Sequence, residues 1–371
     1  MMVLRMNELV TFFSGVIVAC VIVASFVEVQ VVDAIHSVPG YFVLGDSTLD
    51  VGENNYLPNA YRANFPPYGE TFFHRPTGRF SNGRNMGDFI AQALALPFAP
   101  PYLQPNATFY KGVNFASGGS GLLNTTNPGL AIPFNVQLEQ YKNVSTLLVK
   151  ELGVLSAQEL ISRSLFLIST GINDIIYGYL TSPTTQIRYN ATQYIIPMLE
   201  SYKSGIETLY ASGARKIVSF GEGVAGCKPV VRVLNNSQCV NFLNKLAIEY
   251  EASLKQMVDE FNATIPDLHL VLAHGYNIEY DMITNPQSFG LKNATAGCCG
   301  AGVLNAQYQC GTKVPTNVTG IHQTLCKHPS EHLYWDLIHN TEYVDRVQLQ
   351  YYWDGNASYV YPFNLRTLAL V

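Results

Sequence analysis

Short apolar runs alternate with longer amphipathic stretches along most of the chain. Apolar runs rich in β-branched and aromatic residues predict buried strands, and they occur at residues 41–44, 111–115, 165–170, 216–220 and 268–273. Helical periodicity is found between them, at residues 85–96, 136–148, 192–212 and 240–261. Because strands and helices alternate, the pattern predicts a parallel sheet covered by helices on both faces.

The stretch at residues 240–261 has the clearest amphipathic pattern. Glycine after the last periodic residue is typical of a helix C-terminus, and Gly213 follows the predicted helix at residues 192–212 in this way. In the 240–261 helix, the apolar side chains that share one side are Leu243, Leu246, Ala247, Tyr250, Leu254, Met257, Val258 and Phe261.

The first 34 residues predict a secretory signal peptide rather than a part of the fold. Arg5 is the only basic residue there, residues 9–27 are mostly apolar, and residues 32–34 offer small side chains where a signal peptidase cuts. Cleavage after Ala34 leaves residues 35–371, which contain no repeat or charge run and predict a single domain. The apolar stretch is also long enough to be retained as a membrane anchor, so that alternative stays open.

The composition favours a large core and an extracellular location. Of the chain, 48% is apolar and 13% is charged, and the net charge of −5 argues against the basic surface that a nucleic-acid partner requires. Asn-x-Ser/Thr sequons predict a glycosylated surface, and they occur at Asn106, Asn124, Asn143, Asn190, Asn235, Asn262, Asn293, Asn317 and Asn356.

An even number of cysteines follows the predicted cleavage site, which predicts disulfides in a secreted chain. Pairing Cys227 with Cys239 is the most local option, and the other four would then staple the loop that precedes residues 336–339. A zinc site in that cluster is an alternative, although its spacings are not Cys-x-x-Cys. The six disulfide candidates are Cys227, Cys239, Cys298, Cys299, Cys310 and Cys326.

Candidate chemistry begins where the first apolar run ends, at Gly45-Asp46-Ser47. This places a hydroxyl at the carboxyl edge of a predicted sheet, the edge where ligands bind in open α/β folds. The tripeptide alone is also an ordinary turn sequence. Three later stretches contain matching small, amide, acidic and imidazole side chains, at residues 114–121 (NFASGGSG), 165–174 (LFLISTGIND) and 334–339 (YWDLIH).

Together with residues 50–57 (DVGENNYL) and 76–84 (PTGRFSNGR), these stretches resemble the plant GDSL esterase/lipases, a branch of the SGNH hydrolases. The resemblance covers nearly the whole predicted mature chain, and the blocks occur in the family's order. It implies a three-layer α/β/α, flavodoxin-like fold with a parallel sheet of about five strands. It also implies a carboxylic-ester hydrolase that needs no cofactor and no metal.

A serine nucleophile needs a base within hydrogen-bond reach, and we assign Ser47 as the nucleophile and His339 as the base. Asp336 precedes His339 by three residues, a spacing that on a helical turn would let the carboxylate orient the imidazole. Family precedent assigns the oxyanion hole to the backbone N–H groups of Ser47 and Gly119 and to the side-chain amide of Asn173. The choice of Gly119 over Gly118 stays open on the sequence alone.

The acidic residues near these motifs are given supporting roles. We expect Asp174 to cap the start of a helix and Asp46 to tie together the turn around Ser47. Structural roles are also expected for Asp50, Asn54 and Asn55.

The sequence departs from the family pattern at three positions. Thr48 stands where leucine is usual, and an exposed loop should tolerate it. Glu53 replaces a common asparagine. Asn340 replaces the proline that usually follows the catalytic histidine, and we expect His339 to be less rigidly held without it.

Three functions are compatible with these residues. The first is a secreted esterase or lipase, located in the apoplast or cell wall, that hydrolyses small-molecule or lipid esters as a monomer. The second is an acyltransferase that passes the acyl group to an alcohol. The third is a non-catalytic binding protein on the same scaffold. None of the three implies a nucleic acid or an obligate protein partner.

Overall fold

The structure of the protein is a computed structural model that describes residues 38–371. The predicted signal peptide at residues 1–34 lies outside the described residues. Among residues 38–371, no helix has both the length and the apolar character needed to cross a bilayer.

The strands of the described residues form one large sheet and two small ones. They are β1 Tyr41–Gly45, β2 Gly112–Asn114, β3 Leu165–Ser169, β4 Lys216–Phe220, β5 His269–Ala273, β6 Asn293–Gly297, β7 Cys299–Ala301, β8 Gln323–Leu325, β9 His332–Tyr334 and β10 Val360–Tyr361. The α-helices are α1 Met86–Ala93, α2 Phe134–Leu152, α3 Val154–Arg163, α4 Pro183–Arg188, α5 Ala191–Ala211, α6 Pro229–Val233, α7 Asn241–Thr264, α8 Gly275–Thr284, α9 Glu342–Asp354 and α10 Leu365–Leu370.

The large sheet has the strand order β10-β5-β4-β3-β1-β2. Strands β1 to β5 are parallel, as the sequence predicts, and the short β10 adds an antiparallel sixth strand beside β5. Helices cover both faces, so the prediction of a three-layer α/β/α fold is confirmed. The order places β1 and its carboxyl end in the interior of the sheet, between β2 and β3.

Each face of the sheet carries its own hydrophobic core. On β1, Phe42 and Leu44 pack into the core formed with α2, α3, α5 and α7. Tyr41 and Val43 point the other way, into the core formed with α1, α8, α9 and α10. Because both faces are buried, the strand is a continuous apolar run instead of an alternating one.

The helix bounds agree with the predicted ones within a few residues. All eight apolar side chains predicted to share one side of the 240–261 helix are buried in α7. Gly213 follows α5 with a φ of 104°, a backbone conformation that favours glycine. Helices α3, α4, α6, α8, α9 and α10 were not predicted.

A loop-rich segment between α8 and α9 contains the two small sheets, in which β6 pairs with β9 and β7 with β8. Two disulfides, Cys298–Cys326 and Cys299–Cys310, cross-link this segment, and a third joins Cys227 to Cys239. All six candidate cysteines are therefore paired.

This disulfide pairing excludes the zinc site that was the alternative for the clustered cysteines. The sulfur atoms of Cys298 and Cys326 and the imidazole of His332 lie within 4.8 Å of one another, the single such group in the described residues. Both sulfurs belong to a disulfide, however, and cysteine binds zinc only as a free thiolate.

Candidate active site

Ser47 lies in a tight turn directly after β1. The turn is closed by the backbone N–H of Asp50, which donates to the carbonyl of Asp46 at 3.0 Å. The Asp46 carboxylate accepts from the N–H of Thr48 at 2.9 Å, as the sequence analysis expected of it. Ser47 itself is only partly buried, so its hydroxyl is held at the carboxyl edge of the sheet within reach of solvent.

The end of β1 is held by a side chain from α2. Gln137 accepts from the N–H of Gly45 at 2.7 Å and donates to the carbonyl of Gly45 at 2.8 Å. Strand β2 ends opposite Val43, and on that side the last residue of β1 is paired by Gln137 together with the N–H of Ser117, which donates to the Gly45 carbonyl at 3.0 Å. Gly45 has a φ of 148°, and a Cβ there would lie 2.2 Å from the carbonyl oxygen of Ser169.

His339 joins the nucleophile to an acid. Its Nε2 lies 2.7 Å from Ser47 Oγ, and its Nδ1 lies 2.8 Å from both carboxylate oxygens of Asp336. The two chain segments are 292 residues apart, and the fold brings them together. This linear arrangement has the contacts of a nucleophile, a base and an orienting acid.

The expectation of a helical turn between Asp336 and His339 is wrong. Residues 335–338 are a bend in which Asp336 Oδ1 accepts from the N–H groups of Ile338 and His339, at 3.0 and 2.9 Å. The N–H of Trp335 donates to the carbonyl of His339 at 2.7 Å and closes the bend. The carboxylate therefore shapes the turn that carries the histidine, a short-range contact typical of aspartate.

Asp336 is buried and ionised. Burial raises its pKa, but the imidazole of His339 and the hydrogen bonds to the carboxylate outweigh burial, so the pKa lies below its usual value. The hydroxyl of Tyr68 donates to Asp336 Oδ2 at 2.8 Å. The ring of Phe80 lies 4.9 Å from the His339 ring and packs against it.

The three groups predicted to form an oxyanion hole lie around one pocket beside Ser47, with about 540 Å³ of space open to solvent. The N–H groups of Ser47 and Gly119 have no acceptor within residues 38–371. Asn173 donates one amide hydrogen to the carbonyl of Ser120 at 2.9 Å, which orients the amide. Its contact with Asp46, at 3.4 Å, is long for a hydrogen bond, so the other amide hydrogen is only weakly engaged.

The structure distinguishes Gly119 from Gly118. The N–H of Gly118 donates to Asp50 Oδ2 at 2.8 Å, so it is not available to a ligand. Gly119 has a φ of 87°, and a Cβ there would lie 2.5 Å from the ring of Tyr61. Only glycine fits this position without displacing a ring or straining the backbone.

The structural roles expected for the 50–57 stretch are visible as hydrogen bonds. Asn54 donates to the carbonyls of Tyr61 and Gly118, at 2.7 and 2.8 Å. The N–H of Gly118 donates to Asp50 and its carbonyl accepts from Asn54, so both polar backbone groups of Gly118 are held. Asn55 donates to the carbonyl of Thr77 at 2.9 Å.

Asp174 does not cap a helix, which corrects the sequence analysis. It is the first residue of a π-helical segment, Asp174–Leu180, and its carboxylate reaches back to residues 122–126. There it accepts from the N–H of Leu122 at 2.8 Å and from the hydroxyl of Thr126 at 2.6 Å. The carboxylate thus ties the glycine-rich loop to the strand end that carries Asn173.

The three residues at which the sequence departs from the family pattern have different surroundings. Thr48 is exposed, in line with the tolerance expected there. Glu53 is fully buried and accepts from the N–H of Leu103 at 2.9 Å, and burial raises its pKa to about 8. Asn340 donates to Asp345 at 3.1 Å and to Gln348 at 3.3 Å, so side-chain contacts restrain the position where proline is usual.

Two supporting residues were not found from the sequence. Gln137 and Tyr68 lie in stretches with no polar motif, and each acts on a residue far away in the chain. The separation is 92 residues for Gln137 with Gly45 and 268 for Tyr68 with Asp336. No local pattern marks such contacts.

Comparison with known proteins agrees with the geometry. The sequence model of the family described as GDSL-like Lipase/Acylhydrolase matches residues 41–350. The chain therefore belongs to this family of carboxylic-ester hydrolases. It is 36% identical to GDSL esterase/lipase 6 of Arabidopsis thaliana, over 90% of this chain and 91% of that protein. It is also 36% identical to GDSL esterase/lipase At3g50400 of the same plant, over 87% and 89% of the two chains.

Proposed function

We propose that this protein is a secreted serine esterase or lipase that hydrolyses carboxylic esters through an acyl-enzyme on Ser47. One observation carries the proposal: Ser47 Oγ lies 2.7 Å from His339 Nε2, while Asp336 lies 2.8 Å from His339 Nδ1. A serine hydroxyl attacks a carbonyl only when a base in reach takes its proton. The chain belongs to an acylhydrolase family, which supports a carboxylic ester as the substrate.

In the first half of the reaction, Ser47 Oγ attacks the ester carbonyl and its proton passes to His339 Nε2. The ionised Asp336 stabilises the imidazolium that forms. The bond to the alcohol oxygen then breaks, and His339 returns the proton to the leaving alcohol. Because Asp336 also accepts from two backbone N–H groups, the imidazole is held in one orientation throughout.

The oxyanion that forms on the carbonyl oxygen needs donors that are already in place. In our proposal these are the N–H groups of Ser47 and Gly119 and the amide of Asn173. All three are neutral donors, so no change of protonation removes them. The contacts of Asp50 with Gly118 and of Asn173 with Ser120 support this assignment, because they fix the loop and the amide before substrate binds.

In the second half, water attacks the acyl-enzyme, His339 takes a proton from it, and the acid leaves as Ser47 regains its hydrogen. An alcohol could replace water, which would make the protein an acyltransferase. We favour water because the hydroxyl of Ser47 lies in a partly exposed turn and bulk water reaches it.

We also propose that residues 1–34 are removed as a signal peptide and that residues 35–371 act as one monomeric domain. The three disulfides support an oxidising, extracellular compartment such as the apoplast or cell wall. Seven of the nine sequon asparagines are exposed, which supports a glycosylated surface.

Asn262 is the sequon that we expect to carry no glycan. Its amide nitrogen donates to the carbonyl of Leu270 at 2.8 Å, and its oxygen accepts from the same residue at 2.9 Å. A sugar on that nitrogen would break a contact between α7 and β5. Glycopeptide mapping of the secreted protein tests this, and a glycan on Asn262 would contradict it.

The experiment that tests the proposed function is active-site labelling followed by product analysis. A fluorophosphonate probe should modify Ser47 in the secreted protein, and the Ser47→Ala variant should not react. Labelling of another residue, or none in folded protein, would overturn the assignment. Short p-nitrophenyl esters, with and without added glycerol, sugar or phenolic alcohols, then separate hydrolysis from transfer. Free acid should exceed new ester, and the opposite ratio would make the protein an acyltransferase.

A further inference from the structure

Asp336 has a hydrogen-bond donor that the proposed mechanism does not use. The hydroxyl of Tyr68 donates to Asp336 Oδ2 at 2.8 Å, and each of the two residues is 1% exposed. Tyr68 lines neither of the two clefts that meet at Ser47. It therefore does not touch an ester bound at Ser47, and it acts on the reaction only through Asp336.

The donors to Asp336 are divided between its two carboxylate oxygens. Oδ1 accepts from the N–H groups of Ile338 and His339, which shape the bend. Oδ2 accepts from Tyr68, and His339 Nδ1 lies 2.8 Å from both oxygens. Within residues 38–371, Tyr68 is thus the single donor to Oδ2 besides the imidazole. Because this oxygen is shielded from solvent, the phenol hydroxyl takes the place of a hydrating water there.

The Tyr68 hydroxyl keeps its proton next to the ionised acid. Burial raises the pKa of Tyr68 well above its usual value, and the charge of Asp336 raises it further. An O–H group that donates to a carboxylate makes a charge-assisted hydrogen bond, which stabilises the ionised form of the acid. The negative charge of Asp336 is therefore shared between the phenol and the imidazole.

The ring of Tyr68 is held by a small core beside the disulfide-linked residues 298–326. It packs edge-on against Trp335 and Phe80, with ring centres 6.1 and 6.3 Å away. Gly311 lies so close to the carbonyl of Pro66 that a Cβ there would clash with it. The position of the hydroxyl is thus fixed before a substrate binds. Cysteines of the same core are Cys298, Cys299 and Cys310.

We propose that Tyr68 is a positioning residue for the triad, whose hydroxyl holds Oδ2 of Asp336 and limits the pull of this carboxylate on the proton of His339. This inference rests on the proposed esterase function and adds a residue to its machinery. Sharing the charge of Asp336 with a phenol weakens its attraction for the imidazolium. His339 is then free to accept the proton of Ser47 at a lower pH, and it returns that proton to the leaving alcohol more readily.

Other ionisable groups face the triad from the turn after β1, the π-helical segment, the segment after β4, and helices α8 and α9. Within the described residues none of them makes a hydrogen bond to Asp336 or His339, so a substitution at Tyr68 leaves their contacts in place. Their influence on His339 therefore cancels when a Tyr68 variant is compared with the unsubstituted protein. These groups are Asp46, Tyr177, Glu222, Lys228, Glu279 and Asp345.

Tyr68→Phe removes the hydroxyl and keeps the ring, and the pH profile of kcat/KM for a p-nitrophenyl ester tests the proposal. We expect the acidic limb of the profile to move to higher pH by about half to one unit, because the carboxylate then pulls more strongly on the imidazolium. On the plateau, kcat should fall about tenfold with KM unchanged, since the imidazole is less well held. A folded variant whose acidic limb does not move would overturn the proposal, because a purely structural role lowers kcat without moving the limb.

Two further variants separate the action on Asp336 from a general loss of structure. Tyr359→Phe is the control, because the Tyr359 hydroxyl also donates to a carboxylate, that of Asp281 at 2.8 Å, beside the edge strand β10. It should leave kcat and the acidic limb unchanged. In the Asp336→Asn background, adding Tyr68→Phe should change the residual kcat by less than about twofold, since the two residues act as one unit. A further tenfold loss in that background would contradict the proposal.

A fluorinated tyrosine gives a measurement in the opposite direction. Incorporation of 3-fluorotyrosine at position 68 keeps the ring and the hydroxyl but makes the hydroxyl a stronger donor. The acidic limb should then move to lower pH, and this measurement decides the question if Tyr68→Phe does not fold. An unmoved limb, or one at higher pH, would overturn the proposal.

The same experiments distinguish failure of this proposal from failure of the proposed function. If the unsubstituted protein neither cleaves esters nor reacts with the fluorophosphonate probe, the esterase function fails and the role of Tyr68 fails with it. If the protein does both and neither substitution at residue 68 moves the acidic limb, the Tyr68 proposal alone fails.

Discussion

The side chain of Gln137 binds both polar backbone groups of Gly45, at 2.7 and 2.8 Å, two residues before Ser47. Its amide also donates to the hydroxyl of Ser120 and the carbonyl of Ile132, both at 3.0 Å. One buried amide thus connects the end of β1 with the loop that follows Gly119. The position of the nucleophile relative to the oxyanion donors depends on this side chain.

We expect Gln137→Leu to be less stable by roughly 1–3 kcal/mol, because it leaves the buried N–H of Gly45 unpaired, while the Gly45 carbonyl keeps the N–H of Ser117. It should also lower kcat by about tenfold to a hundredfold, since a small displacement of the nucleophile is costly. Urea unfolding and ester kinetics measure the two effects. Asn135→Leu, at an exposed position of the same helix, is the control. A stable Gln137→Leu variant with full kcat would show that Gly45 holds its conformation unaided.

Asn173→Ala removes one proposed oxyanion donor and should lower kcat by about a hundredfold to a thousandfold, with little change in KM. Asn173→Asp should be at least as damaging, because a carboxylate repels the developing oxyanion. Ester kinetics measure both, and thermal melting checks that the loss of the contact with Ser120 has not unfolded the protein. Near-normal turnover of a folded Asn173→Ala variant would remove this residue from the site.

Burial of Glu53 should make the protein less stable as the pH rises. The pKa of Glu53 is about 8 in the folded protein, against 4.5 for an unperturbed glutamate. Between these values the folded state keeps a proton that the unfolded state has lost, so the free energy of unfolding falls with pH. Above about pH 8 the contribution of Glu53 no longer changes.

Glu53→Gln keeps the shape of the side chain and cannot ionise, so it should remove this contribution. At pH 8 the variant should be more stable than the unsubstituted protein by at least ~1 kcal/mol, and at pH 5 the difference should be small. Urea unfolding at the two pH values is the measurement. An equal difference at both would mean that Glu53 keeps its ordinary pKa in the folded protein.

The disulfides that cross-link the 298–326 segment should matter for catalysis more than the third one does. The N–H groups of Cys298 and Cys299 donate to the carbonyls of Tyr334 and Trp335, at 3.0 and 2.7 Å, directly before Asp336. Replacing both Cys298 and Cys326 by serine should therefore lower kcat as well as stability.

The matched control replaces Cys227 and Cys239 by serine. Opening this disulfide should cost roughly 2–4 kcal/mol of stability with a smaller effect on kcat. Ester kinetics below the melting temperature of each variant compare the two. A larger loss of kcat in the Cys227 and Cys239 variant would contradict the link between the 298–326 segment and the Asp336 bend.

The sequence by itself determined the order of the five parallel strands and of four of the helices along the chain, the sheet layers and the reactive residue types. Periodicity reports burial locally, so the 240–261 helix and the strand at residues 216–220 could be recognised without any long-range information. The motifs around Ser47, Asn173 and His339 were recognisable because each lies within a few residues. The even number of cysteines predicted disulfides, although it did not decide their pairing.

The tertiary structure alone decided how the polar groups are used. A polar side chain chooses its partner from whatever the fold brings within about 3 Å, and neighbours in the chain do not determine that choice. Asp174 accepts from residues 122–126 instead of capping its own helix, and Asp50 accepts from the N–H of Gly118, while the N–H of Gly119 has no acceptor among residues 38–371. The contacts of Gln137 with Gly45 and of Tyr68 with Asp336 arise in the same way, because only the fold brings together residues that are 92 and 268 positions apart in the chain.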